Sequence, residues 1–179
     1  MTLLGTSGLS EPYTDSTEFK FNQLTQQQYV IVNDGVMGGR SNSELKVSQQ
    51  QVRYQGDVSL ENNGGFASVR MFWPFKINVT DDELTMAILK VKGDGLTYQF
   101  RLRTNRGFDG AAYSYSFSTQ AGQQQTFHIP IDQFIPTFRG RTLRDMPELK
   151  FSDVQQMGIL VADSQEGQFE LDLYTLELQ

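Results

Sequence analysis

One histidine, His128, and no cysteine are all that the 179 residues offer for imidazole or thiolate chemistry. A site built on several histidines is therefore excluded, and with it disulfides, thiolate metal ligands and thiol nucleophiles. His128 alternates with Phe127 and Ile129, which places it on the wet side of a strand as an ordinary surface histidine. No Gly-Lys-Ser/Thr phosphate loop and no strand-to-helix glycine fingerprint is present, so neither nucleotide chemistry nor a cofactor is expected. Paired carboxylates such as Asp81 with Asp82, or Asp153 with Asp163, are the residue types of a glycosidase. With Asp+Glu 21, however, such pairs arise from number alone and read as solvated surface. No catalytic set and no metal-ligand set emerges.

Arginines and glycines remain. Arg139, Arg141 and Arg144 gather three positive charges within six residues. They suit either ion pairs with nearby acids such as Asp145 and Glu148, with Asp34, Asp145 or Asp163 as the internal acids that would pin Arg40, Arg139 and Arg141, or planar bidentate recognition of a carboxylate or phosphate. Gly38-Gly39-Arg40 is able to form a backbone nest for an anion with the Arg40 guanidinium beside it. Asn33-Asp34-Gly35 and Asn62-Asn63-Gly64-Gly65 are residue types that tolerate positive φ and read as hairpin turns. If Gly38, Gly39 and Arg40 meet Arg139 and Arg141 at one end of the domain, they form a functional end. Arg101 and Arg103 point, with Gln99, to the polar side of a strand, and a hairpin across residues 105–110 sets them near Ser114, Ser116 and Ser118. That face is either plain solvated sheet or a hydrogen-bonding surface.

The elements that position these groups are strands. Tyr98, Phe100 and Leu102 point one way while Gln99, Arg101 and Arg103 point the other, the period of two of a half-buried strand. Residues 113–118 and 169–173 alternate likewise, and further strands are expected over 18–21, 44–47, 52–60, 66–73, 126–131 and 154–162. The last has apolar residues on both faces and belongs in the middle of a sheet. Residues 81–84 read as a helical turn before a strand over 86–92. Residues 132–150, with Pro136 and Pro147, show no clean period and read as a long loop. In 169–173 the apolar parity is odd, whereas Leu176 and Leu178 are even, so a bulge near Tyr174-Thr175 is expected. About nine short strands without internal repeat predict an all-β, antiparallel sandwich over the whole chain, 1–179.

Composition bounds the partners. Lys+Arg 15 against Asp+Glu 21 leaves a net charge of −6, which repels nucleic acid and anionic membrane surfaces. Hydrophobic residues at 38%, with 13 Phe and 7 Tyr, suffice for one sizeable core. No apolar run is long enough for a transmembrane helix and no targeting segment is read at the amino terminus, so a cytoplasmic location is expected.

Five strings, in order, resemble the complex I intermediate-associated protein 30 family: VNDGVMGGRS (32–41), GDVSLENNGGFASVR (56–70), VKGDG (91–95), FRGR (138–141) and MGILVADSQEGQFELDL (157–173). The central string is similar to bacterial and plastid-type members. The resemblance covers about residues 32–179 and implies a galactose-binding-like jelly roll. For the mitochondrial member it implies a chaperone-like factor bound to an assembly intermediate of the respiratory NADH dehydrogenase, and it brings no catalytic residue set. The expectation is a non-enzymatic domain that binds a protein partner in assembly of a membrane-associated redox complex. The rival is a carbohydrate-binding module of the jelly-roll type, which needs exposed aromatic platforms. Phe108 and Phe138 are the candidates for those, since Trp73 lies in an apolar string.

Overall fold

The computed structural model describes residues 17–77, 83–107 and 109–179. Alternating segments become β1 (Glu18–Lys20), β2 (Tyr29–Ile31), β3 (Asn42–Val47), β4 (Val52–Val58), β5 (Ala67–Phe72), β6 (Met86–Lys92), β7 (Thr97–Arg103), β8 (Ala112–Ser118), β9 (Gln124–Pro130), β10 (Ile135–Phe138), β11 (Arg141–Thr142), β12 (Gln156–Val161) and β13 (Gly167–Leu178). They form two antiparallel sheets, one in the order β3-β4-β13-β6-β9 with β1 also on β13, the other β11-β10-β8-β7-β12-β5-β2. Among the described residues there is no α-helix, only single 3-10 turns. No helix there is long and apolar enough to cross a membrane.

The core lies between the sheets. Tyr54, Leu89, Ile129, Leu171 and Leu173 come from the first, and Met71, Tyr98, Phe100, Leu102, Met157 and Ile159 from the second, all fully buried. Tyr54 meets Phe169 with ring centroids 5.0 Å apart, and Tyr98 stacks on Phe117 at 6.0 Å. Truncating any one of these large side chains removes about 2–5 kcal/mol. The Tyr98 hydroxyl donates to Asp94 Oδ1 at 3.0 Å, and Asp94 Oδ2 accepts from the Glu170 N–H at 2.7 Å, so the corner between β6 and β7 is tied to β13.

The strand pattern predicted from sequence is borne out, as is the position of β12 inside its sheet, between β5 and β7. The register of β13 against β6 shifts between Leu173 and Thr175, and Leu176 and Leu178 are buried as the change of parity requires. Three expectations need correction. Residues 132–150 are not one loop: Ile135–Phe138 and Arg141–Thr142 pair as β10 and β11 at the sheet edge, where Pro136 is tolerated. The turns around Asn33–Gly35 and Asn62–Gly65 are not hairpins, because they carry the chain from β2 to β3 and from β4 to β5, which lie in different sheets. More strands form than the nine expected, since three-residue segments such as β2 find partners in the sheet. The helical turn read over 81–84 lies largely outside the described residues.

Candidate binding face

Because β7, β12, β5 and β8 are neighbours, side chains far apart in sequence come to lie in rows across the outer face of the second sheet. Register partners trace one such row: Val30, Arg70, Gly158, Arg101, Ser114 and Ile135, on β2, β5, β12, β7, β8 and β10. In the row beside it, Gln156 of β12 opposes Arg103 of β7. The hairpin predicted for β7 and β8 forms, with Gln99 opposite Ser116 and Arg101 opposite Ser114; Ser118 opposes Thr97. Ser114 Oγ lies 3.0 Å from Thr137 Oγ1 of β10.

Three arginines therefore share a surface only a few strand spacings wide. Arg103 is 4% exposed. Its Nε and that of Arg101 are buried without a hydrogen-bond partner, and neither side chain pairs with an acid among the described residues. Gln156 Oε1 is buried and unpartnered in the same way. Burial, then the charges of Arg101 and Arg70, push Arg103 down to about 9, so the guanidinium still holds its proton at neutral pH. Burial and then Arg70 lower Arg101 as well. Gly158 places no side chain between Arg70 and Arg101; a Cβ there would press on the Val69 carbonyl oxygen. A cavity of about 530 Å³ adjoins this surface, with Arg70, Gln156, Tyr29, Trp73 and Arg106 in its wall. Arg106 donates there to Gln155 Oε1 at 3.1 Å.

The remaining candidates lie elsewhere. Gly38, in the left-handed region with φ +88°, ends the 3-10 turn Asp34–Met37. A side chain on Gly39 would collide with the Asp34 carboxyl group. That carboxylate is fully buried and accepts from the Ser41 N–H at 2.9 Å, the Ser41 hydroxyl, the Gly65 N–H at 2.7 Å and the Phe66 N–H at 3.3 Å. Burial alone would raise its pKa, but the hydrogen bonds from Ser41, Gly65 and Phe66 outweigh it and hold the group below the ordinary carboxylate value. The two glycine-rich strings are thus one knot around Asp34. Arg40 stands outside it, exposed and 2.8 Å from Glu61.

Arg139 and Arg141 flank the β10–β11 tip, where Arg139 and Gly140 have φ of +47° and +75°. Arg139 pairs with Asp109 at 2.8 Å and lies 5.2 Å from the centre of the Phe138 ring; Arg141 is exposed. The acids facing Arg40 and Arg139 are thus Glu61 and Asp109 rather than Asp34, Asp145 or Asp163. Nor does the structure bring Gly38–Arg40 and the Arg139–Arg141 tip together. Asp34 follows β2, one edge of the seven-stranded sheet, and Arg141 opens β11, the other, six strand spacings or roughly 29 Å away. Arg101 and Arg103 lie between them. Sequence reading missed Arg70, Gln156 and Gly158, although Arg70 is the one charged residue inside an apolar strand.

The solved structures with this architecture include two of a family 11 carbohydrate-binding module from Clostridium thermocellum. One, in complex with a mixed-linked tetrasaccharide, is 14% identical with a TM-score of 0.62 over 89% of this chain and 95% of that one. The other, from the cellulase Lic26A-Cel5E, is 13% identical with a TM-score of 0.63 over 92% and 96%. At such identity the likeness is one of fold, a jelly-roll sandwich. By sequence, an uncharacterized Schizosaccharomyces pombe protein is 26% identical over 173 residues, covering 84% of this chain and 77% of that protein. A probable mitochondrial complex I intermediate-associated protein 30 from Caenorhabditis elegans is 29% identical over 90 residues, covering 48% of this chain and 26% of its own length. The family model for complex I intermediate-associated protein 30 matches residues 18–173, and the chain belongs to that family.

Proposed function

We propose that this chain is a non-enzymatic binding domain that holds a protein partner, acting as a chaperone-like assembly factor for a membrane-associated redox complex such as NADH:ubiquinone oxidoreductase. The observation that carries the reading is the outer face of the seven-stranded sheet, where arginines sit between two exposed aliphatic side chains, Val30 and Ile135. Arginine is enriched at protein interfaces, and exposed aliphatic side chains beside it add apolar contact area. A sugar would call for exposed aromatic platforms, and among the described residues the exposed large apolar side chains are Val30, Met37, Val47, Leu60 and Ile135. Phe138 is half-buried, and Phe108 lies outside the described residues.

The family name supports the kind of complex. The chain spans about a quarter of the nematode relative's length, so what it does in assembly is read from this domain alone. The test is affinity capture on the intact chain from detergent-solubilised membranes of its source cell, beside a glycan array. Co-purifying subunits of one redox complex with a silent array are expected. Binding of one glycan class without such subunits would establish the carbohydrate-binding module instead.

A further inference from the structure

Arg40, Arg53 and Arg139 each face a carboxylate at 2.7–3.1 Å. Among the described residues Arg101 and Arg103 do not, although Arg103 is the more deeply buried and acids outnumber bases in the chain. Burying a cation without a counter-charge costs stability, and placing a second one two residues along the strand adds repulsion. Packing alone would be served at lower cost by Met or Leu, which fill similar volume with no charge. Their positive charge is therefore left for an anion from outside to neutralise.

We propose that Arg101 and Arg103, two residues apart on one face of β7, form an oxyanion site that takes the side-chain carboxylate of an acidic segment of the partner protein. The occupant, though not the site itself, rests on the protein-partner reading above. Two neighbours choose among oxyanions. Gln156 Oε1, buried opposite Arg103, is an acceptor without a donor among the described residues, and a peptide supplies a backbone N–H next to its carboxylate, whereas a phosphate monoester dianion supplies none and inorganic phosphate only its own hydroxyl. Val30 and Ile135, 49% and 52% exposed, end the row that contains Arg101, so apolar residues on either side of the acid find aliphatic contacts.

The test titrates the full chain, by calorimetry at low and high salt, with four probes. These are a short peptide with one Glu and leucines three to four residues away on either side of it, the same peptide with Gln for Glu, inorganic phosphate, and galacturonate. The acidic peptide is expected to bind, to weaken as salt rises, and to bind roughly tenfold or more tightly than its Gln counterpart, as the loss of a charge-assisted bond implies. Arg103→Met is expected to weaken the acidic peptide by at least about tenfold while its melting temperature stays level or rises. Arg101→Gln, at a half-buried position, is expected to weaken it similarly, which keeps the test decisive should Arg103→Met fail to fold. Equal affinity for the two peptides, or parental affinity in Arg101→Gln, overturns the site. Tighter binding of phosphate or galacturonate than of the acidic peptide overturns the occupant. If the peptide binds as expected while capture returns no redox-complex subunit, the site stands and the assembly reading fails.

Discussion

Gln156 and Arg103 face each other across β12 and β7, each with a buried polar atom that no described group satisfies, Oε1 on one and Nε on the other. Substituting Gln156→Glu keeps the shape and supplies the missing negative charge. It should raise stability by about 1 kcal/mol at neutral pH, the Coulomb gain being partly offset by desolvation of the new carboxylate. The added stability should fade on acidification, because a Glu stabilised by Arg103 titrates below its unfolded value and the gain is lost as pH falls through that lowered pKa. Urea denaturation of the two proteins at pH 7 and pH 4 measures both effects. A variant less stable than its parent at pH 7 would mean that Gln156 is not positioned to pair with Arg103.

The loop arginines should behave differently. Arg139 and Asp109 are 70% and 62% exposed, so their 2.8 Å pair is screened by solvent. Arg139→Ala should cost less than about 1 kcal/mol, and Arg141→Ala should leave melting unchanged. Losses near the roughly 3–5 kcal/mol of a broken buried pair would make the tip a structural clamp. Thermal melts of the two single variants suffice.

Where local pattern decides, the fold is legible in the chain. Tyr98, Phe100 and Leu102 against Gln99, Arg101 and Arg103 state both strand and facing, and the change of parity before Leu176 states the bulge. Ile135–Phe138 is illegible for a local reason, because Pro136 interrupts its pattern and its strand character comes from pairing with β8. The binding face is illegible for a different one. Arg70, Gly158 and Arg101 meet only because β12 inserts between β5 and β7, and strand order is a property of the whole sheet. The depth of Arg103 is likewise set by what surrounds the end of β7, not by its neighbours in sequence. The glycine-rich strings do announce positive φ, at Gly38, Asn62, Asn63 and Gly65, but not that a single carboxylate gathers them.

That gathering separates Gly39 from Arg40. A methyl group on Gly39 would collide with the Asp34 carboxyl group, which its own hydrogen bonds hold in place. Gly39→Ala should therefore cost about 2–4 kcal/mol, in the range of strain and a broken buried network. Arg40→Ala loses a solvent-exposed contact to Glu61 and should cost well under 1 kcal/mol, about that of other surface pairs. Chemical denaturation of the two variants reads the contrast, and equal losses would show that the Arg40–Glu61 pair belongs to the knot.

Asp34 itself carries the last prediction. Its carboxylate accepts from Ser41, Gly65 and Phe66, and no cation is needed, since backbone N–H groups and one hydroxyl supply the stabilisation. Asn at this position keeps one acceptor oxygen but turns an NH2 group toward a donor. Asp34→Asn should thus cost about 2–3 kcal/mol at pH 7, the range for hydrogen bonds to a charged group. The pH dependence follows from the lowered pKa. A depressed carboxylate contributes stability that is fully present above its unfolded value of about 4 and is lost as pH falls through the folded pKa below it. The parent should therefore lose stability more steeply than Asp34→Asn below about pH 4, so that the two curves converge at acid pH. Parallel curves from pH 7 to pH 2.5 would mean that Asp34 does not titrate in this range, and that the difference at neutral pH comes from packing rather than charge.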